Sequence, residues 1–250
     1  MLGLDSYSFP ARFLPSVLVL LPVGLAVAVF FPEDLIGWGA GTGTVGMAAL
    51  GMLTSEIARR FGRAVQDRVY ARLGAKPTTI LLRHRDKRID PQTKQRYHNC
   101  LGRLVPGVIV PTAEEEAADP ESADTTYESC TKFLLETTRN KSQFPLIFKE
   151  NVNYGMVRNL RGMKPAAVSL AGLGAVACAA RAVWPGVSDI YGPAVVAAAG
   201  SAFLLTVWLL RLNDRWVEAA AFDYARSLLA SCEKLAPITT NVIAAESTRV

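Results

Sequence analysis

Charge is what the longest apolar runs of this chain lack. Phe13 to Phe31, Leu35 to Thr54, Pro165 to Ala180 and Ile190 to Leu210 hold no Asp, Glu, Lys, Arg or His. Proton-coupled transporters and pumps normally carry ionisable groups at membrane depth, so this absence counts against those classes. It leaves a passive pore, an anchor or a conformational effector open. Histidine is scarce too, with two in 250 residues, and the four cysteines contain no C-x-x-C. Paired short-spaced ligands of the structural zinc kind are therefore missing. In a reducing compartment Cys100, Cys130, Cys178 and Cys232 are expected as thiols rather than as a disulfide framework.

What the chain has instead is apolar length. Half of its residues are hydrophobic. A bilayer core of about 30 Å takes roughly 20 apolar residues in a helix, and the four runs approach or meet that length. The third is extended past Arg181 by Ala182, Val183 and Trp184, the arginine stem reaching to the headgroups. The first run offers a small-residue cleavage pattern at Ala26-Val27-Ala28, but it continues to Phe31 and meets the next run across Pro32, Glu33 and Asp34. It reads as a span rather than as a leader.

The expected fold class is mainly α, a membrane protein of four transmembrane helices in two hairpins with a small helical or α+β cytoplasmic domain. The expected divisions are a first hairpin at 1–54 (spans at about 13–31 and 35–54), a cytoplasmic insert at 55–164, a second hairpin at 165–211 (spans at about 165–184 and 190–210) and a cytoplasmic C-terminal helix and tail at 212–250. Orientation follows from basic flanks. Arg59, Arg60, Arg63, Arg68 and Arg72 follow the second run, Arg158, Arg161 and Lys164 precede the third, and Arg211 and Arg215 close the fourth. The positive-inside rule then puts both termini and the insert in the cytoplasm of an inner-membrane, multi-pass protein.

Gly41-Thr42-Gly43-Thr44-Val45-Gly46 matches G-x-G-x-x-G in form. A dinucleotide site needs that motif between a strand and a helix, whereas here it lies inside an uncharged run of membrane length. Gly37 with Gly41, and Gly39 with Gly43, are spaced instead for close helix packing.

The insert opens with Ile57, Phe61, Val65, Val69 and Leu73 at four-residue steps, a helical stripe continuing the second run. Trp216, Ala220, Tyr224, Leu228, Ser231 and Leu235 repeat the pattern after the fourth run, and the two helices are expected to form a stalk or to face neighbouring subunits. Thr78 to Leu82 reads as a short β-like run. Asp90-Pro91 and Asp119-Pro120 read as N-cap and first-turn proline pairs. The first helix would bury Tyr97, Leu101 and Leu104, and the second Ala123, Tyr127, Cys130, Leu134 and Thr137. Val152, Met156, Val157 and Leu160 suit an interfacial helix leading to the third run.

Two charge runs flank these elements. Arg83, Arg85, Lys87 and Arg88, in RHRDKR, have three readings: a solvated run, a contact to anionic lipid headgroups, or a grip on a phosphate-bearing ligand or nucleic acid. Glu114, Glu115, Glu116, Asp119, Glu121, Asp124 and Glu128 form an acidic run with no intervening base, preferred as a flexible loop and helix start and alternatively paired with the basic segment. His84, His98 and Cys100, with Asp86, Asp90 and Cys130 as conceivable further ligands, do not make a convincing metal set. No acid–base or nucleophile constellation stands out. No cofactor and no catalytic or metal residue is assigned.

The segments RYHNCL, EEEAADPESAD and NKSQFPLIFKENVNYGMVRNLRGMKP resemble an uncharacterised family of bacterial four-span membrane proteins. The resemblance covers the insert and implies no activity. The function expected from architecture is non-catalytic: an oligomeric membrane effector or pore-like protein whose cytoplasmic domain receives a signal or a partner. The alternative is a membrane-tethered scaffold binding a nucleotide, a nucleic acid or anionic lipid through the basic insert. Expected partners are the lipid bilayer with its anionic headgroups, further copies of the chain, and a phosphate-bearing ligand or protein on the cytoplasmic side.

Overall fold

The structure, a computed structural model, describes residues 6–33, 39–184 and 191–247. It is mostly helical, and no strand occurs among the described residues. One π-helical turn, Phe9–Phe13, runs into α1 (Leu14–Phe30). Then come α2 (Gly39–Leu73), α3 (Pro77–Leu82), α4 (Pro91–Leu104), α5 (Ala113–Ala118), α6 (Pro120–Thr137), α7 (Pro145–Ala182), α8 (Tyr191–Leu210) and α9 (Asp214–Ser247). Contacts divide the chain into two compact units, Met1–Val69 with Val152–Val217, and Tyr70–Asn151 with Glu218–Val250.

Three helical stretches are long and apolar enough to cross a membrane: Phe9–Phe30, Pro145–Ala182 and Tyr191–Leu210. Of the four expected spans, three are found among the described residues. The remaining expected span begins in residues 34–38, which lie outside them, and α2 turns charged from Glu56 onward. Gly37 lies outside the described residues, as do the surroundings of Gly39, Gly41 and Gly43.

In the first unit the close glycine contacts lie elsewhere. A Cβ on Gly162 would come 2.6 Å from the Gly62 nitrogen and from the Phe61 carbonyl carbon, and one on Gly62 would overlap the Asn159 carboxamide. Here α2 and α7 cross backbone to backbone, which only a missing side chain permits. The crossing also rotates the α2 stripe. Ala58, Val65 and Val69 are buried, whereas Ile57 and Phe61 are about half exposed. The carboxamide of Asn159 donates to the Ala11 carbonyl at 2.7 Å, inside the π-helical turn, where the wider winding loosens the backbone ladder. On the other flank of α1, a Cβ on Gly51 would meet the Phe13 ring at 2.7 Å, and Arg12 lies 3.9 Å from Glu56. Lys164 donates to the Leu209 and Leu212 carbonyls at 3.0 and 2.9 Å, closing the last turn of α8, and Arg161 lies 2.8 Å from Asp214. Large apolar side chains point outward: Leu173, Val176, Val196, Phe203 and Leu210 are each about 70% exposed.

The second unit has the opposite arrangement, a closed apolar core under a charged surface. Leu81, Leu82, Leu101, Tyr127, Cys130, Leu134, Leu228, Leu229 and Cys232 are fully buried within it. The expected caps form: Asp90 accepts from the Thr93 amide at 2.8 Å and Asp119 from the Ser122 amide at 3.0 Å. Tyr97, Leu101 and Leu104 are buried as the period requires; on α6 Ala123, Tyr127, Cys130 and Leu134 are, but Thr137 is exposed and Thr138 takes its place.

Other readings are corrected. Thr78 to Leu82 is helical, not β-like, because Lys76 is extended, Pro77 occupies the first turn and the helix buries all six of its residues. With no strand, the α+β alternative for the insert falls. The acidic run is no loop. Thr112 and Glu115 close a capping box on α5, while Asp124 and Glu128 pair with Arg83 and Lys76 across the unit. The interfacial helix expected at 152–160 is part of α7, which continues through Pro165 to Ala182.

Candidate functional site

The polar centre of the second unit is built on the loop after α3. The C-terminal carbonyls of that helix need partners, and α4 supplies them from one face. Lys94 donates to the Arg83 carbonyl at 2.6 Å and also to the Asp86 carbonyl. One turn later His98 donates through Nε2 to the Leu82 carbonyl at 2.8 Å. Both side chains are almost wholly buried, Lys94 at 5% and His98 at 4% exposed. The Asp90 cap sets the start of α4 and hence the register that brings them there.

The other wall comes from α5 and α6. Glu116, buried, accepts from the His84 backbone amide at 2.7 Å and from the Tyr127 hydroxyl at 2.8 Å, with Arg85 3.9 Å from its second oxygen. The His84 ring donates through Nε2 to the Pro111 carbonyl at 2.9 Å. His84 and His98 meet edge to face at 4.5 Å between centroids, and His98 stacks on Tyr127 at 5.7 Å. With Nε2 of each imidazole committed to a carbonyl, each Nδ1 is left as an acceptor without a described protein partner.

Burial governs the protonation here. Desolvation pushes His98 down to about 4, with the His84 and Lys94 neighbours acting in the same direction, so it is neutral near pH 7. Desolvation also lowers Lys94. The Tyr127 phenol is raised well above its usual range, by burial first and then by its bond to Glu116. Arg83 is raised by its hydrogen bond to Asp124.

A cavity of about 360 Å³ opens on one side of the imidazole pair, lined by Asp86, Lys87, Lys94 and Gln95 among others. A second, of about 320 Å³, opens on the side of Asn99, Val110 and Thr112. His84, Gln95 and His98 border both. These walls offer imidazole acceptors, the carboxamides of Gln95 and Asn99, and ammonium donors from Lys87 and Lys94. They suit recognition of a polar ligand or segment by hydrogen bonds.

The basic cluster is split by the fold. Arg83 forks onto Asp124, with Nε 2.8 Å from Oδ1, and only 13% of its side chain is exposed. Arg88 pairs with Asp86 and lies 4.7 Å over the Phe222 ring. Arg85 and Lys87 remain exposed, Lys87 on the rim of the larger cavity. Cys100 donates to the Cys232 carbonyl at 2.8 Å and Cys130 is buried in the core. Among the described residues, no three His, Cys, Asp or Glu side chains converge as a metal would need.

Sequence reasoning singled out the histidines but not Lys94, Gln95, Glu116 or Tyr127 as their neighbours. A signal existed for Lys94: it shares the helical face of Tyr97 and Leu101, an unusual place for a lysine unless its charge is met by carbonyls. No family model, curated protein or solved structure matches the chain.

Proposed function

We propose that this chain is a non-catalytic, four-span membrane protein, an oligomeric effector whose helical cytoplasmic unit receives a ligand or partner and biases the spans. The observation that carries the reading is the contrast between the units. One turns its large apolar side chains outward, as a lipid-facing bundle does, and the other packs them inward.

The fourth span is inferred from pairing. Gly51 against Phe13 and Glu56 beside Arg12 set the end of that apolar run next to the start of α1, as the return helix of a hairpin would. The sidedness is supported by the second unit, whose core takes Tyr97 to Leu134 from before α7 and Phe222 to Leu235 from after α8. An even number of crossings must separate those segments, and α7 with α8 supplies two. With the basic flanks, this favours an inner-membrane protein with both termini cytoplasmic. The exposed apolar faces of α7 and α8 are then available to further copies of the chain as well as to lipid.

In proteoliposomes the purified protein is expected to sediment as an oligomer and to release an encapsulated dye when the cytoplasmic unit is engaged. A monomer in detergent whose vesicles stay tight under every trigger tried would rule out the effector reading. The scaffold alternative is favoured by one observation, Lys87 on the rim of a cavity that also holds Lys94. It requires salt-sensitive nucleotide or phosphate binding that Lys87→Glu abolishes.

A further inference from the structure

A recess of about 610 Å³ lies at the foot of α8, within the first unit. Its walls are mostly apolar: Leu18 of α1, Leu204 and Val207 of α8, with Trp208 and Leu212 as a buried floor at 3% and 5% exposure. Trp216 stands at its lip, 38% exposed, and its indole N–H has no described protein acceptor. The charged groups around it are largely spent. Arg161 faces Asp214, and Lys164 is bound to the Leu209 and Leu212 carbonyls. Arg211, which lines the recess, and Arg215, the second residue of α9 and next in sequence to Trp216, are exposed and have no ion pair among the described residues. The first turn of α9, capped by Asn213 to the Trp216 amide at 3.0 Å, adds the positive end of a long helix.

We propose that this recess holds one anionic phospholipid, an acyl chain between α1 and α8 and the phosphate between Arg211, Arg215 and the Trp216 indole. The proposal rests on the membrane reading. Given that reading, the recess opens at the level where an apolar helix ends and basic residues begin, which is where a headgroup meets its chains. Tryptophan suits that level because its ring is apolar and its N–H is polar. Two uncompensated guanidiniums select a net negative headgroup over a zwitterionic one. The lipid would wedge α8 against α1 and so set how the second hairpin sits in the bundle. This site is separate from RHRDKR, whose Arg83 and Arg88 are held by carboxylates.

The test is native mass spectrometry of the full chain in mild detergent with phosphatidylglycerol or phosphatidylcholine. The expected result is retained phosphatidylglycerol at a preference on the order of thirtyfold, the factor two basic residues at the surface provide. Arg211→Glu with Arg215→Glu brings the preference to about parity, and Leu204→Trp, which fills the recess and keeps both arginines, lowers retention of both lipids. Lys87→Glu changes neither. Glycerol phosphate, having no chains, does not compete. Equal retention of the two lipids by the unaltered chain, or a preference that survives the double charge reversal, overturns the proposal. Resistance of the protein to carbonate extraction from membranes distinguishes that outcome from failure of the membrane reading, which extraction into the soluble fraction indicates.

Discussion

His98 is the residue whose state most depends on the fold. Its folded pKa, about 4, lies below the ordinary 6.5, so the unfolded chain takes up the proton first as pH falls. The stability its neutral form contributes is therefore complete above about 6.5 and is lost between that value and about 4. That loss is on the order of 2–3 kcal/mol, read as a fall in melting temperature in detergent between pH 7 and 4.5. His98→Gln should flatten this part of the profile while lowering the melting temperature throughout. Glu116 gives a second prediction. Its replacement by alanine strands the buried Tyr127 hydroxyl and the His84 amide, and should cost about 2–4 kcal/mol, seen as a lower melting temperature. Tyr127→Phe in that background should cost little more, because the shared partner has already gone. Neither role is written locally, since His98 meets Leu82 across 16 positions and Tyr127 meets Glu116 across 11. The sequence could rank these residues as buried or exposed but could not pair them.

At the level of elements, the features set by local chemistry were the legible ones. The Asp-Pro starts of α4 and α6 and the apolar faces behind them follow from capping and helical period, and both appear where expected. Thr78 to Leu82 misled because a run of five residues has no period to count, and the proline before it decided for helix. The glycines divide the same way. A motif such as G-x-x-x-G can be found from spacing, but the contact between Gly62 and Gly162 joins positions 100 apart and has no local signature. Gly162→Val should destabilise the protein by about 1–3 kcal/mol or more through forced separation of α2 from α7. Gly172→Ala is the control on the same helix, where a Cβ meets nothing within 4 Å, and it should be neutral or slightly stabilising. Thermal denaturation of the two variants side by side decides the matter. Equal loss from both would mean that helix crossing is not what Gly162 supplies.

For the whole molecule, the apolar runs were the most readable feature of the sequence, and the charge pattern between them was the least. Acid and base runs that look like opposed surfaces are interleaved, Arg83 with Asp124 and Lys76 with Glu128, because the fold lays α6 against α3. A probe at this scale is thiol reactivity. All four cysteines are buried, and burial raises the thiols of Cys100, Cys130 and Cys232, which lowers their thiolate fraction. The intact protein should therefore resist maleimide at pH 7 and should take up four equivalents only after denaturation. Rapid labelling of the native chain would argue against the second unit's closed core, to which three of the four belong.

The core of the second unit is assembled from two lengths of chain, Tyr70–Asn151 and Glu218–Val250, with both helices of the proposed second hairpin between them. A ribosome finishes the first length long before the second exists. Until α9 emerges on the correct side, Leu101, Tyr127 and Leu134 have no Leu228 or Leu229 to close over them. On the proposed membrane reading, completion of the second unit is thus a check on insertion. On that reading, a chain whose second hairpin failed to enter the bilayer, or stopped halfway, would keep an open apolar face of the kind that chaperones and proteases act on. Quality control of the membrane topology would be exercised from outside the membrane.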